Sequence, residues 1–484
     1  MDAGFDSGPS RLAAIEASPH LTKPLRVLSA ELQHGAVSAR DLVETALTTI
    51  GAPEGEGARA FVSTAADRAR AEADAVDGNR AAGVPVPPFA GIPVAIKDLA
   101  DVEGEVTTAG SVVLADRPPA AADAPAVKRL RDAGFIVVGR TNMTEFAFSG
   151  LGLNPHYGTP RSPWDRSTGR IPGGSSSGTA VAVADGMVAV GLGTDTGGSC
   201  RIPAAFCNIV GYKPTAGRVP LDGIVPLAPS LDSVGPLGNS VHCVAITGAI
   251  MAGDPIPDAL DTDRAAARPI KLGLITNVML DDVDDVVSQR FEAALSTLAR
   301  VGVSITETRF DELDELGHIN RDGGLAPAEA LAWHRSLIAE HGDRYDQRVR
   351  RRIEGGSLAS AVYYIEVLEH RRRLIARMGE WGQQFDALVA PTVAIVPPPI
   401  DSFPPDGHPS DPEDRYYAST NHKALRNTAI GNFLDVSAIS LPLCTVEARY
   451  DTPAVGVMLM TPGGNDKHLL SIASVLESIC SATP

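Results

Sequence analysis

Two clusters of glycine and serine within residues 169–215 constrain this chain more than any other feature of its sequence. The first cluster is Gly-Gly-Ser-Ser-Ser-Gly at 173–178, and the second is Thr-Asp-Thr-Gly-Gly-Ser at 194–199. Glycine lets a backbone turn sharply and approach a ligand closely. A serine beside such a turn exposes its hydroxyl, and the neighbouring N–H groups can point at an oxyanion. We interpret the second cluster as a nucleophile loop and the first cluster as the loop that serves it.

The two clusters and their surroundings resemble the amidase signature family of serine hydrolases. The run GTDTGGSCRIPAAFC, the GYKPT that follows it, and the spacing between Ser175 and Ser199 carry this resemblance. Three other family-like segments are 89–98 (FAGIPVAIKD), 139–146 (GRTNMTEF) and 230–236 (SLDSVGP). The specific part of the resemblance therefore covers about 89–236, and beyond it the likeness is one of layout.

The resemblance implies a fold and a catalytic triad. The fold is a single α/β/α domain with a mixed central β-sheet covered by helices, here assigned to 25–484, after a poorly ordered lead-in at 1–24. In the triad, Ser199 is the acyl-forming nucleophile and Lys97 is the base. Ser175 follows a cis peptide bond in the family and relays the proton between them.

The residues around Lys97 fit the role of a base. A lysine accepts a proton only when it is neutral, and its ordinary pKa is ~10.4, so burial has to lower that pKa by several units. Lys97 follows the apolar run Ile-Pro-Val-Ala-Ile at 92–96, which predicts a buried strand. The amine is therefore expected at the end of a strand, with its stem in the core.

The second cluster also predicts an oxyanion hole. Its four expected donors are the backbone N–H groups of Thr196, Gly197, Gly198 and Ser199. Asp195 is expected to orient the loop through hydrogen bonds to backbone N–H groups. Ser176 and Arg201 are expected to support the site, Arg201 in a structural role.

Two other chemistries compete for the same residues. Residues 174–178 also match G-x-S-x-G, which would make Ser176 the nucleophile of an elbow with a downstream Asp and His. That interpretation leaves the second cluster unexplained. Cys200 and Cys207 could be taken for a metal pair, but their spacing does not suit zinc, so we expect no metal and a small wall residue at Cys200.

Composition excludes several classes of partner. The net charge of −17 argues against nucleic acid and against an anionic membrane surface. The sequence has no apolar run long enough for a transmembrane helix and no secretory signal. Five cysteines in a chain of 484 residues suggest free thiols in a reducing compartment, so a cytoplasmic location is expected.

Helix and strand signals alternate along the chain, which favours a sheet covered by helices. Ser38 followed by Asp41 resembles a capping box that opens a helix through Ile50. The other predicted strands are 135–138, 270–275, 387–390 and 455–460. The other predicted helices are 126–133, 286–301 and 344–377, the last of them charged and expected at the periphery.

Residues 397–415 (PPPIDSFPPDGHPSDPEDR) contain too much proline for a helix or a central strand. Two interpretations carry equal weight. The segment is either a surface connection or a loop over the mouth of the active site that selects substrates.

The leading functional hypothesis is hydrolysis of the C–N bond of a small amide, carbamate or urea through an acyl-enzyme on Ser199, with no cofactor. The predicted partner is a small-molecule substrate, and a homodimer is compatible with this role. One alternative is the glutaminase (A) subunit of a tRNA-dependent amidotransferase, which would need partner subunits. Another is a binding protein on an inactive amidase fold, which the presence of Lys97, Ser175 and Ser199 opposes.

Overall fold

The computed structural model describes residues 21–262, 265, 268–404, 411–442, 452–453 and 455–482. Most of the predicted lead-in at 1–24 and the middle of the proline-rich segment therefore lie outside the described residues. Within these ranges the chain forms one mixed sheet covered by helices, which confirms the expected α/β architecture. None of the described helices has the length and apolar character needed to cross a membrane.

The strands are β1 Phe61–Thr64, β2 Pro93–Lys97, β3 Ile136–Thr141, β4 Val190–Thr194, β5 Val210–Lys213, β6 Val234–Gly238, β7 Lys271–Ile275, β8 Ser304–Thr308, β9 Ala387–Pro391, β10 Ser437–Pro442 and β11 Gly456–Thr461. The α-helices are α1 Leu25–Gln33, α2 Ala39–Gly51, α3 Gly57–Ala60, α4 Ala66–Ala81, α5 Pro125–Asp132, α6 Ser177–Ala184, α7 Arg201–Cys207, α8 Val241–Ala252, α9 Asp285–Arg300, α10 Leu316–Ile319, α11 Leu325–His341, α12 Gln347–Glu354, α13 Ala361–Trp381, α14 Pro412–Phe433 and α15 Asp466–Ala482. Single 3₁₀ turns lie at Val112–Leu114, Glu145–Ala147, Asp311–Glu315, Gly342–Arg344, Gly355–Leu358, Gly382–Gln384 and Ile400–Ser402.

The order of the strands brings the two Gly-Ser clusters together. The order across the sheet is β1-β3-β2-β4-β6-β5-β10-β11-β9-β7-β8. Strand β2 runs parallel to β3 and β4, and β7 runs parallel to β8 and β9, while the other neighbours are antiparallel. Because parallel strands end at the same edge of a sheet, Lys97 at the end of β2 meets Thr194 at the end of β4.

Helix α6 explains why the first cluster is held firmly at this edge. All 8 of its residues are buried, and they are small: Ser-Gly-Thr-Ala-Val-Ala-Val-Ala. A helix that is apolar on every side belongs in the interior, and this one packs on β4, β6 and α7. Its N-terminus therefore fixes the serines that precede it.

Most of the elements predicted from the sequence are confirmed. The capping box is present, because the Ser38 side chain accepts from the Asp41 N–H and the Asp41 carboxylate accepts from the Ser38 N–H. The strands predicted at 135–138, 270–275, 387–390 and 455–460 correspond to β3, β7, β9 and β11.

The single peripheral helix predicted at 344–377 is wrong. The segment forms α12 and α13, which the Gly355–Leu358 turn separates. A Cβ at Gly356 would collide with the Pro327 carbonyl oxygen, so the chain approaches another backbone here and cannot continue as a regular helix. The Ser360 hydroxyl then caps α13 by accepting from the Tyr363 N–H at 3.1 Å.

The proline-rich segment is only partly irregular. Residues 397–404 contain a short 3₁₀ turn and 405–410 lie outside the described residues, but helix α14 begins at Pro412. The prediction that the prolines exclude a helix from 397–415 is therefore wrong at its C-terminal end. Pro412 occupies the first turn of α14, where a missing N–H costs nothing.

Candidate active site

Lys97 lies at the end of β2 with its amine entirely buried. Its Nζ donates to the Ser175 Oγ at 2.7 Å and to the Thr194 Oγ1 at 2.7 Å. Burial lowers the pKa of Lys97 from 10.5 to about 7, although the negative charges of Asp195 and Asp232 oppose that shift. A large fraction of this amine is therefore neutral near pH 7, as a proton acceptor has to be.

Ser175 lies two residues before α6 and is fully buried. The peptide bond between Gly174 and Ser175 is cis, and the Ser175 carbonyl accepts from the Thr144 N–H at 3.1 Å. A hydroxyl that accepts one hydrogen bond from Lys97 still has its own hydrogen to donate. Ser175 is therefore equipped to pass a proton towards Lys97.

Ser199 lies in the loop before α7 and on the wall of a cavity. Its side chain is 4% exposed, and its carbonyl accepts from the Ser176 N–H at 3.3 Å, which ties the two Gly-Ser clusters together. Within the described residues the Ser199 hydroxyl makes no hydrogen bond. The structure thus joins Lys97 to Ser175 directly and places Ser199 beside them without the second bond of the predicted relay.

The predicted oxyanion donors divide into two groups. The Gly198 N–H donates to the Asp195 Oδ1 at 2.9 Å, so it already has an acceptor. The N–H groups of Thr196, Gly197 and Ser199 have no acceptor in the part of the chain that the structure describes. Gly198 has a φ of 130°, and a Cβ there would collide with the Thr428 Oγ1. Glycine is thus needed at 198 for the shape of the loop.

Asp195 and Arg201 form the buried support of this loop. The Asp195 carboxylate accepts from the Cys200 N–H at 3.1 Å and from the Arg201 Nε and Nη2 at 3.1 and 2.8 Å. Burial acts to raise the pKa of Asp195, but the charge and hydrogen bonds of Arg201 outweigh burial and lower it to about 2. Arg201 is fully buried and does not line the cavity, in agreement with a structural role. Removing one partner of such a pair costs ~3–5 kcal/mol.

Several functional contacts were missed by sequence reasoning. The Thr196 Oγ1 donates to the Asp232 Oδ1 at 2.5 Å, the Asn432 Nδ2 donates to the Asp195 carbonyl at 2.9 Å, and the Thr428 Oγ1 donates to the Gly197 carbonyl at 2.6 Å. Asp232 belongs to the family-like segment at 230–236, which is the only signal the sequence offers. Helix α14 bears no comparable motif.

The competing chemistries find little support in the geometry. The Ser176 Oγ is buried and donates to the Thr194 carbonyl at 3.3 Å, and His334 bonds to the Tyr345 hydroxyl. Cys200 is buried, its thiol donates to the Gly235 carbonyl at 3.5 Å, and burial raises its pKa. The described residues contain no group of His, Cys, Asp and Glu suited to a metal ion.

The cavity beside Ser199 has a volume of about 1050 Å³. Thr196, Gly197 and Ser199 contribute to its lining, and most of the remaining lining comes from α14, α12 and residues 313–326. Its described charged residues are Arg348, Arg351, Arg352, Arg426, Asp314 and Asp414, with His422 beside them. This partly open space is large enough for a small organic substrate.

Comparisons with known proteins identify the family of this chain. The family model described as amidase matches residues 41–470. The chain is 36% identical to a 2-amino-5-chloromuconic acid deaminase of Comamonas testosteroni, over 85% of this chain and 86% of the relative. It is 34% identical to the A subunit of a glutamyl-tRNA(Gln) amidotransferase of Anaeromyxobacter dehalogenans, over 94% of this chain and 95% of the relative.

A crystal structure of an amidase superposes with a TM-score of 0.82 at 30% identity, covering 94% of this chain and 99% of the other. Because the superposition covers almost the whole length of both chains, the two proteins share the complete fold. The chain therefore belongs to the amidase signature family, whose enzymes hydrolyse carbon–nitrogen bonds.

Proposed function

We propose that this protein hydrolyses the C–N bond of a small amide through an acyl-enzyme on Ser199. One observation carries the proposal: a buried lysine with a pKa of about 7 bonds to the hydroxyl of Ser175, in the loop that is tied to Ser199. An unassisted serine hydroxyl is a weak nucleophile and needs such a base.

The proposed reaction has two stages. The neutral Lys97 amine takes the Ser175 proton as Ser175 takes the Ser199 proton, and the Ser199 Oγ attacks the amide carbonyl. The N–H groups of Thr196, Gly197 and Ser199 stabilise the oxyanion. The proton returns along the same path to the leaving amine, and a water then hydrolyses the ester by the same relay.

The cavity favours an amide that carries a carboxylate. Arg352 lines the cavity, and its guanidinium lies 4.7 Å from the centre of the Phe148 ring. It has no carboxylate partner among the described residues, whereas Arg348 and Arg351 both bond to Asp414 at 3.0 and 2.7 Å. A guanidinium fork matches a carboxylate in geometry and charge. The name of the deaminase relative, a muconic acid enzyme, supports the same class of substrate.

The second candidate is the glutaminase subunit of an amidotransferase, which the extensive match to such a subunit favours. Glutamine carries an ammonium group as well as a carboxylate. Within the described residues, the two acids of the cavity already have partners: Asp414 bonds to two arginines and Asp314 to Arg309 at 2.8 Å. An ammonium would therefore lack an unshared carboxylate, which ranks this candidate second.

The remaining proposals rest on composition and on the nature of the site. We also propose a cytoplasmic location, because the described cysteines are free thiols, and a homodimer. A binding protein on an inactive fold would have no use for a buried lysine that is bonded to the hydroxyl of Ser175. The amide substrate is the small-molecule partner that this proposal requires.

A fluorophosphonate probe tests the function directly. We expect stoichiometric labelling that maps to Ser199 by peptide mass spectrometry, with ammonia release from carboxylated amides by the chain alone. Labelling at Ser176 would overturn the proposed triad. Turnover only after the addition of partner subunits would favour the amidotransferase.

A further inference from the structure

A second arginine, Arg426, lines the same cavity on a helix that touches the oxyanion loop. This helix is α14, and its Thr428 donates to the Gly197 carbonyl at 2.6 Å. The adjacent residue Leu425 also lines the cavity, and its Cδ2 lies 3.3 Å from the position that a Cβ on Gly197 would occupy. Arg426 therefore lines the cavity from a helix that is anchored to the oxyanion loop on either side of it in sequence.

Arg426 uses little of its hydrogen-bonding capacity. Its Nε donates to the Asn427 Oδ1 at 3.1 Å, and its Nη2 donates to the Met279 carbonyl at 3.4 Å, which is a long contact. No carboxylate in the described ranges forms an ion pair with it. Asp281 and Asp282 act on it only through their charge, and Asp282 is bonded to Lys423 at 2.7 Å. A guanidinium has five N–H donors, so most of those of Arg426 remain available to a ligand.

The charge of the cavity differs from that of the whole protein. The chain has a net charge of −17, yet four arginines and two aspartates lie among the described lining residues. Asp414 forms ion pairs with two of these arginines, Arg348 and Arg351. Asp314 forms an ion pair with Arg309, which does not line the cavity. Arg352 and Arg426 are left without an ion-pair partner within 4 Å in the described part of the chain. Burial lowers the pKa of each, although the charges of Asp281 and Asp282 oppose that shift at Arg426.

We propose that the substrate carries two acid groups, one bound by Arg352 and the other by Arg426. This inference rests on the proposed function, since it places an amide between the two cations and Ser199. A dicarboxylate compensates both guanidinium charges within a partly desolvated space, where charge-assisted hydrogen bonds are strong. A monocarboxylate would leave most of the N–H donors of Arg426 without an acceptor in the complex.

A matched pair of small acids tests the second subsite without knowledge of the true substrate. The pair is trans,trans-muconate and sorbate, which share one carbon skeleton and differ by a single carboxylate. Each is titrated as a protectant of Ser199 against the fluorophosphonate probe, and its affinity is measured separately by calorimetry. The proteins are wild type, Arg426→Met, Arg426→Lys and the control Arg377→Met, which removes an arginine that pairs with Glu312 outside the lining of the cavity.

We expect muconate to bind wild type and Arg377→Met ~10- to 100-fold more tightly than sorbate. Arg426→Met should lose most of that preference while its affinity for sorbate and its melting temperature stay near wild type, and Arg426→Lys should keep part of it. Equal binding of the two acids by wild type, or an equal loss of both in Arg426→Met, would overturn the inference. Absence of probe labelling would instead count against Ser199 as the nucleophile, and calorimetry would still decide the role of Arg426.

Discussion

The two sides of the cavity are built in different ways. The catalytic wall comprises the ends of β2 and β4 and residues 173–178 and 194–199, and it reaches the cavity through Thr196, Gly197 and Ser199. It is held by backbone contacts and by buried, fully bonded partners such as Asp195 and Arg201. The binding wall, made of α12 and α14, presents long side chains, two of which have unused donors. A wall fixed by main chain determines the reaction, whereas a wall of side chains on helices determines the substrate. Changes in the first should therefore alter kcat, and changes in the second should alter KM.

The largest effect is expected from Ser199→Ala. Loss of the nucleophile should reduce turnover by about 10⁴-fold or more while the fold remains intact, because Ser199 makes no side-chain hydrogen bond in the described residues. Ammonia release measures turnover, probe labelling reports the presence of the nucleophile, and the melting temperature reports the integrity of the fold. Substantial residual labelling of the variant would place the nucleophile elsewhere and remove Ser199 from the catalytic wall.

Lys97→Met should lower kcat by ~10²- to 10⁴-fold, because the proton acceptor is lost. Lys213 offers a matched control: it is also fully buried at the end of a strand, and burial lowers its pKa to about 8, but its Nζ donates to the Pro214 and Val436 carbonyls at 2.8 and 2.9 Å. Carbonyls cannot relay protons. Lys213→Met should therefore mainly lower the melting temperature, and equal losses of kcat in the two variants would contradict the distinction.

The activity of the wild type should follow the protonation of Lys97. Because the pKa of Lys97 is about 7, the neutral amine predominates above pH 7 and is depleted about tenfold for each pH unit below it. We expect kcat/KM to rise about 50-fold between pH 5 and 7, to rise by a further factor of about two above pH 7, and then to level off. A profile that is flat from pH 5 to 9 would exclude Lys97 as the base.

On the binding wall, Arg352→Met should raise KM for a carboxylated amide by ~10- to 100-fold and leave kcat within a few fold. Lysine at 352 should restore part of the affinity, because it keeps the charge without the fork. Turnover of a neutral amide serves as the internal control and should be unaffected. A parallel loss for both amides would indicate that Arg352 supports the fold instead of binding substrate.

The smallest effect is expected from Asp414→Asn, within the proline-rich segment at 397–415. This change leaves Arg348 and Arg351 without their carboxylate, so the binding wall becomes more positive, and muconate should bind ~2- to 5-fold more tightly. The melting temperature should fall because two half-satisfied guanidinium groups remain. An unchanged affinity for muconate would argue that this part of the segment is only a surface connection.

The sequence predicted the catalytic wall because its signals are local. The apolar run before Lys97, the two Gly-Ser clusters and the small residues of α6 each specify their own stretch of chain, and the confirmed α/β fold brings them to one edge of the sheet. The sequence predicted that Asp195 accepts from backbone N–H groups, but it did not show that one of these donors is the Gly198 N–H, which was assigned to the oxyanion hole. Only the folded loop brings the Gly198 N–H within hydrogen-bonding distance of the Asp195 carboxylate.

The binding wall could not be predicted in the same way. The basic run that includes Arg348, Arg351 and Arg352 is typical of the solvent-exposed face of a peripheral helix. Whether an arginine in that run is paired depends on Asp414, which belongs to another helix far along the chain. The Gly355–Leu358 turn that redirects α12 arises from close packing on Pro327, another contact that only the tertiary structure reveals.

Cys200, next to the nucleophile, has a consequence for the life of the enzyme under oxidative stress. Peroxides and alkylating agents react with thiolates, and burial keeps this sulfur protonated and bonded to the Gly235 carbonyl. With the proposed nucleophile an alcohol and the adjacent sulfur protonated, the site offers no thiolate to the oxidants that inactivate cysteine hydrolases. We therefore expect its turnover to depend little on the redox state of its surroundings.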